Sequence, residues 1–323
     1  MKRREILYPS IEPYETGFLD VGEGHRLYYE VSGNPDGRTA VFLHGGPGGG
    51  SHAEMRRLFH PEDYRIILFD QRGAGKSTPA ACTAHNSIEA LVEDMERLRG
   101  HLRVDQWLVA GGSWGSTLAL FYSLRYPESV RALVLTGIFL AGAQEARWLA
   151  EEGGASEMMP EWFAPYRDFI PPAHRKNGLA AAYDTILRTG TEEEILEAVR
   201  LFTVWDTALL YFDVPQDRIE EVNSNPRLFV PLVKIYFHFM IHYFRDQNRT
   251  DILEGVKKLG HIPCFIVQGR HDLICPARQA YDLHKAFPNS ELHMLHGTGH
   301  TTREPDISRK VVEITNRIVG RTD

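Results

Sequence analysis

The chain has 323 residues, 43% hydrophobic and 24% charged, a balance that excludes disordered and fibrous classes and leaves room for one large core with an appended subdomain. A formal charge of −7 argues against nucleic acid or an anionic membrane as the main partner. Three cysteines, Cys82, Cys264 and Cys275, are odd in number and too few for a disulfide scaffold.

Residues 25–30 predict a strand, and Gly33-Asn34-Pro35-Asp36-Gly37 supplies a turn. A buried strand follows at Thr39-Ala40-Val41-Phe42-Leu43 and ends at His44-Gly45-Gly46-Pro47-Gly48-Gly49-Gly50. Another, Tyr64–Phe69, stops at Asp70-Gln71-Arg72-Gly73. Over 87–102 the apolar positions Ile88, Leu91, Val92, Met95, Leu98 and Leu102 recur at helical spacing. Trp107-Leu108-Val109-Ala110 predicts a short strand leading into Gly111-Gly112-Ser113-Trp114-Gly115. Helical spacing resumes after Ser113, through Leu118, Phe121 and Tyr122, and Pro127 marks its end. Residues 131–135 give a further strand. Short apolar strands alternating with helices imply a mostly parallel sheet covered on both faces.

From about 141 to 250 strand signals nearly vanish, and helical patterns rich in Trp, Phe and Tyr take over. Most of these aromatics read as packing between helices. Thr191 and Glu194 form a capping box opening a helix over 191–202. The α/β texture returns with strands at 263–268 and 291–295, joined by one crossover helix over 276–287. The expected organisation is a sheet domain built from 1–140 and 251–323. A helical cap subdomain, 141–250, is inserted into it over the carboxyl edge of the sheet, where such folds place their sites. Cys264, in an apolar run, and Cys275, near an acid, are expected to be small buried thiols.

Gly111-x-Ser113-x-Gly115 between a strand and a helix matches the nucleophile elbow of the α/β-hydrolase fold. A sharp turn exposes the serine hydroxyl and aims the helix N-terminus at developing negative charge. A glycine-rich turn with an incidental serine is the competing reading, and the flanking strand and helix argue against it. The second oxyanion donor of this fold comes from the loop after an earlier strand, here His44-Gly45-Gly46-Pro47. The backbone N–H groups of Gly46 and Trp114 are therefore the expected oxyanion donors. Acid and base follow in chain order: Asp272 after the strand at 263–268, and His300 after the strand at 291–295. His293 and His296 fall in or at the end of the strand, and His271 precedes the acid, so each is a poorer base. His296 and His300 span a glycine turn, which disfavours a metal pair. The glycine loops fit neither a phosphate-binding nor a dinucleotide pattern, so no metal and no cofactor is expected.

Several motifs together resemble the prolyl iminopeptidase family: Tyr8-Pro9, Ser32-Gly33-Asn34-Pro35, His44-Gly45-Gly46-Pro47-Gly48, Asp70-Gln71-Arg72-Gly73, Gly111 to Ser116 and Gly137-Ile138-Phe139. The resemblance implies Ser113, Asp272 and His300 as a triad under a helical cap, cleaving an N-terminal proline or similar small residue from a small peptide. It also implies acidic cap residues for the substrate amine. These positions correspond to Asp206, after Trp205, and to Met240, which carries no charge. Thr136 stands where the family has arginine, Leu149 where it has tyrosine, and Phe139 remains as an apolar wall.

Losing a carboxylate beside a desolvated amine costs several kcal/mol, about 3–5 for a broken buried pair. That motivates an alternative, an esterase or amidase acting on a neutral small molecule. Asp213 and Glu151 are further carboxylates that could serve in place of Met240. A non-catalytic binding protein on the same fold is the remaining alternative. The N-terminal stretch MKRREILYPSIEPYE has no apolar run of signal-peptide length, and no run in the chain reaches bilayer-spanning length. No membrane partner is expected, and the cytoplasm is the expected compartment. Nothing in the sequence fixes an oligomeric state.

Overall fold

The structure is a computed structural model that describes residues 3–244 and 249–321. After a short helix α1 (Arg3–Ile6), the first third alternates strands and helices: β1 (Glu15–Gly22), β2 (His25–Gly33), β3 (Arg38–Leu43), β4 (Tyr64–Phe69), α2 (Ile88–His101), β5 (Trp107–Gly112), α3 (Trp114–Arg125) and β6 (Val130–Thr136). Seven helices follow: α4 (Ala143–Ala150), α5 (Pro160–Asp168), α6 (Leu179–Thr189), α7 (Glu192–Leu210), α8 (Gln216–Ser224), α9 (Val230–Phe239) and α10 (Arg249–Val256). The chain then returns to the sheet through β7 (Cys264–Gly269), α11 (Ala277–Ala286), β8 (Ser290–Leu295) and α12 (Pro305–Val319).

The eight strands form one sheet in the order β1-β2-β4-β3-β5-β6-β7-β8. Pairing is antiparallel at β1–β2 and β2–β4 and parallel from β4 to β8. Successive strand residues point to opposite faces, so β3 divides its side chains between two cores. Ala40 and Phe42 join Ile307, Val311 and Ile314 of α12 on one face. Val41 and Leu43 join α2, α3 and the later helices on the other. Parallel strands covered on both faces read as continuous apolar runs, and β5 is buried along nearly its whole length.

Helix ends follow local chemistry. Ser87 caps α2 by accepting from the amide of Ala90. Thr191 and Glu194 make the reciprocal capping box of α7, and the helix then runs on past Phe202 to Leu210 because its buried face continues through Trp205 and Leu209. Between β6 and β7, aromatic rings pack helix to helix: Tyr166 stacks on Tyr183 at 4.4 Å, Tyr183 on Phe237 at 5.4 Å, and Phe163 meets Trp205 edge-on at 5.2 Å. No helix among the described residues is long and apolar enough to cross a membrane. Residues 245–248, within the stretch expected as the cap, lie outside the described residues.

Candidate active site

Ser113 sits between β5 and α3 with φ 57° and ψ −126°, a positive-φ conformation that costs a non-glycine residue energy. Its neighbours leave no room for side chains. A Cβ on Gly111 would lie 2.6 Å from the Gly115 carbonyl oxygen, and one on Gly115 would lie 2.2 Å from that of Leu43. The two glycines thus let β5, α3 and the end of β3 meet at the turn.

The loop after β3 lies against this turn, since a Cβ on Gly45 would stand 3.3 Å from Ser113 Cβ. Gln71 fixes the arrangement. Its side-chain amide donates to the His44 carbonyl at 3.0 Å and its carbonyl accepts from the Trp114 indole at 2.8 Å. Its backbone amide donates to His44 Nε2 at 3.0 Å. That bond makes Nε2 an acceptor, so the imidazole proton sits on Nδ1, 2.9 Å from the Gly45 carbonyl. Burial lowers the His44 pKa, keeping the ring neutral for this role. Trp114 opens α3, where the backbone amide has no acceptor within the helix.

Asp272 and His300 stand on the loops after β7 and β8. His300 Nδ1 and Asp272 Oδ2 are 2.7 Å apart, and both residues are buried. The same carboxyl oxygen accepts from Gln268 Nε2 at 2.8 Å, while Oδ1 accepts from the amides of Ile274 and Cys275 at 3.0 and 2.7 Å. Four donors therefore hold Asp272 in one orientation. Burial opposes charge on His300, but the charge and hydrogen bond of Asp272, helped by Asp206, raise its pKa above the ordinary value. Ser113 shares with His300 and Cys275 the wall of one cavity of about 230 Å³.

Of the pocket residues expected from sequence, Thr136, Phe139, Leu149 and Asp206 line this cavity together with Gly46. Burial pushes the Asp206 carboxyl up to about 6. Two expectations are corrected. Trp205 is fully buried behind the cavity, donating its indole N–H to the Leu149 carbonyl at 3.0 Å. Met240 begins a π-helical turn, Met240–Phe244, and faces a separate cavity on the far side of α4, bordered by Ala146, Arg147 and Ala150. Neither substitute carboxylate reaches the serine's cavity. Glu151 accepts from the amides of Leu179 and Ala180 at the start of α6, and Asp213 is exposed on the loop after α7.

Glu145 of α4, Tyr236 of α9 and Cys275 are among the lining residues that the sequence does not mark as pocket groups. Their sequence signal was limited to residue type within a helical or loop stretch. What turns them inward is tertiary: the Trp148 indole of α4 donates to the Leu273 carbonyl at 2.8 Å, which seats α4 on the loop that carries Asp272.

A family model described as the alpha/beta hydrolase fold matches residues 40–303. A proline iminopeptidase of Arabidopsis thaliana is 44% identical over 96% of this chain and 81% of its own length. A probable proline iminopeptidase of Leptolyngbya boryana is 41% identical over 98% and 97%. Among solved structures, an alpha/beta hydrolase enzyme from a deep-sea metagenome library superposes with a TM-score of 0.65 at 16% identity, covering 95% of this chain and 98% of the other. The chain is a serine hydrolase and belongs to the proline iminopeptidase family of alpha/beta hydrolases.

Proposed function

We propose that this protein removes N-terminal proline from small peptides, with Ser113 as nucleophile, His300 as general base and acid, and Asp272 as the group that orients His300. The observation that carries the reading is the His300–Asp272 pair, held at 2.7 Å on the wall of the same cavity as Ser113. His300 takes the proton of Ser113 Oγ as the oxygen attacks the prolyl carbonyl. The N–H groups of Gly46 and Trp114 stabilise the oxyanion, each worth about 2.7–4 kcal/mol in comparable sites. His300 then protonates the leaving amine, and water activated by the same imidazole hydrolyses the acyl-enzyme.

The cavity's size supports exopeptidase action, since about 230 Å³ holds one residue rather than an extended chain. Phe139, Leu149 and Ile274 offer apolar walls for a ring, and Asp206 offers negative charge for the free amine. The 141–250 stretch serves in this reading as a cap subdomain on a core of 1–140 and 251–323. Met240 gives the neutral-substrate alternative no support, because it does not border the serine's cavity.

The test is release of free proline from Pro-X dipeptides by the wild type, followed by mass spectrometry, with Ser113→Ala alongside. Proline release by the wild type, lost in Ser113→Ala together with labelling by a serine-directed phosphonate, is expected. Undiminished turnover in the variant would contradict the scheme.

A further inference from the structure

Five of the eight residues 44–51, in the loop after β3, are glycine, which loses more backbone freedom on ordering than any other residue. Within the loop, the Gly49 amide donates to the Gly45 carbonyl at 3.1 Å. Further ties come from Asp70 and Gln71, adjacent residues immediately after β4, each 2% exposed. Asp70 Oδ1 accepts from the amide and the hydroxyl of Ser51 at 2.6 and 2.7 Å, while Oδ2 accepts from the Lys76 amide at 2.8 Å. Gln71 holds the opposite end of the loop, through the His44 carbonyl and His44 Nε2. Its side-chain carbonyl reaches the other way, to the Trp114 indole at the start of α3. One side chain therefore spans the two backbone segments that contain the Gly46 and Trp114 amides. Neither amide donates to a protein acceptor among the described residues.

We propose that Gln71 is a positioning residue for the oxyanion site, its carboxamide fixing the Gly46 and Trp114 amides relative to one another, with Asp70 anchoring the far end of the same loop. The inference rests on the reading of those two amides as oxyanion donors and deepens it. Donors stabilise a developing oxyanion best when they already point at its position before the charge forms. A misplacement of about 1 Å can cost about 10²-fold in rate. Rotation about the loop's glycines would carry Gly46 away from Trp114, and the bonds at His44 and Ser51 oppose it from both ends. The Trp114 end is fixed as well, since its ring packs on Phe239 and Phe244 at 5.0 and 5.5 Å. The His44 carbonyl needs a donor and the indole N–H needs an acceptor. A carboxamide supplies both on one group, whereas an ionised carboxylate or a thioether supplies no donor.

Gln71→Met keeps the length of the side chain and removes both of its bonds. Trp114→Phe keeps a ring beside Phe239 and removes the indole donor alone. The test pairs kinetics on prolyl arylamide with inhibition by two ligands. A boronic acid analogue of proline forms a tetrahedral adduct with Ser113 that places an oxygen at the oxyanion position, whereas pyrrolidine has the ring and no such oxygen. In Gln71→Met, kcat should fall about 30-fold with KM within about twofold of wild type, and boronate inhibition should weaken by a similar factor. Trp114→Phe should lose about 5-fold on both measures, the scale of one neutral hydrogen bond. Pyrrolidine inhibition should stay within about twofold of wild type in both variants, which a general loosening of the site would not allow. Wild-type kcat in both variants, or equal weakening of the two inhibitors, would overturn the assignment. A boronate that fails to inhibit the wild type would instead refute the oxyanion reading on which the inference rests.

Discussion

The backbone amide of His300 donates to the carbonyl of Leu210, the last residue of α7, at 2.9 Å. The amide of Thr301 shares that acceptor at 3.2 Å, and the Phe212 amide donates to the Glu304 carboxylate at 2.8 Å. The helix that carries Asp206 is thus bonded at its end to the loop that carries His300, so in the proposed function amine binding and imidazole placement depend on one element. Glu304→Ala should lower kcat about tenfold with KM changed less than about twofold, because a small displacement of a catalytic group is costly. Glu304→Gln keeps an acceptor oxygen and should recover most of the rate. Steady-state kinetics of the two variants decides it.

In the proposed mechanism, Asp272→Asn retains the shape of the acid but loses the charge that stabilises the imidazolium and fixes its tautomer. By comparison with serine hydrolases generally, kcat should fall about 10⁴-fold. Thermal unfolding alongside kinetics shows whether the fold survives the change.

The pH dependence follows from two raised groups. His300 must be neutral to accept the serine proton, and its pKa is raised, so kcat/KM should fall with acid from a midpoint above the ordinary histidine value of about 6.5. Asp206 must be ionised to hold an ammonium and titrates at about 6. On a prolyl substrate the acid limb should therefore steepen towards two protons below about pH 6, whereas an amine-free ester should show one. Equal slopes on the two substrates would count against Asp206 as an amine ligand.

Asp206 also carries a stability cost. Its folded pKa lies above the unfolded value, so its contribution to stability is fully present at low pH and lost as pH rises through about 6. Asp206→Asn should raise stability at pH 8 by on the order of 1–2 kcal/mol, with the gain disappearing below about pH 4. Chemical denaturation at the two pH values measures this.

Much of the candidate site is legible in the sequence because its residues sit where hydrophobic periodicity changes. Ser113, Asp272 and His300 each follow a strand and precede a helix, and the spacing of apolar residues locates those boundaries. β1 was not recognised because it is a partly exposed edge strand whose burial alternates; its identity comes from pairing with β2. α12 carried a readable signal in Ile307, Val311 and Ile314, spaced one turn apart on the core face. The helical stretch between β6 and β7 is the least legible in detail. The resemblance places an amine-binding acid at Met240, yet the π-helical turn that Met240 begins borders the other side of α4. Glu145 is a lone acid on an eight-residue helix, and its direction is set by the Trp148–Leu273 contact, 125 residues apart in the chain. Side-chain direction across helix–helix contacts is a tertiary property that one-dimensional patterns do not encode.

The most direct test of Ser113 as the nucleophile of an iminopeptidase is the wild-type ratio of kcat/KM on prolyl arylamide to that on N-acetylprolyl arylamide. Acetylation leaves the ring and the scissile bond in place but removes the ammonium for which, in the proposed function, Asp206 offers negative charge. A preference of about 100-fold or more for the free amine is the predicted result, from loss of a buried charge interaction worth about 3 kcal/mol. Equal rates on the two substrates would contradict the account.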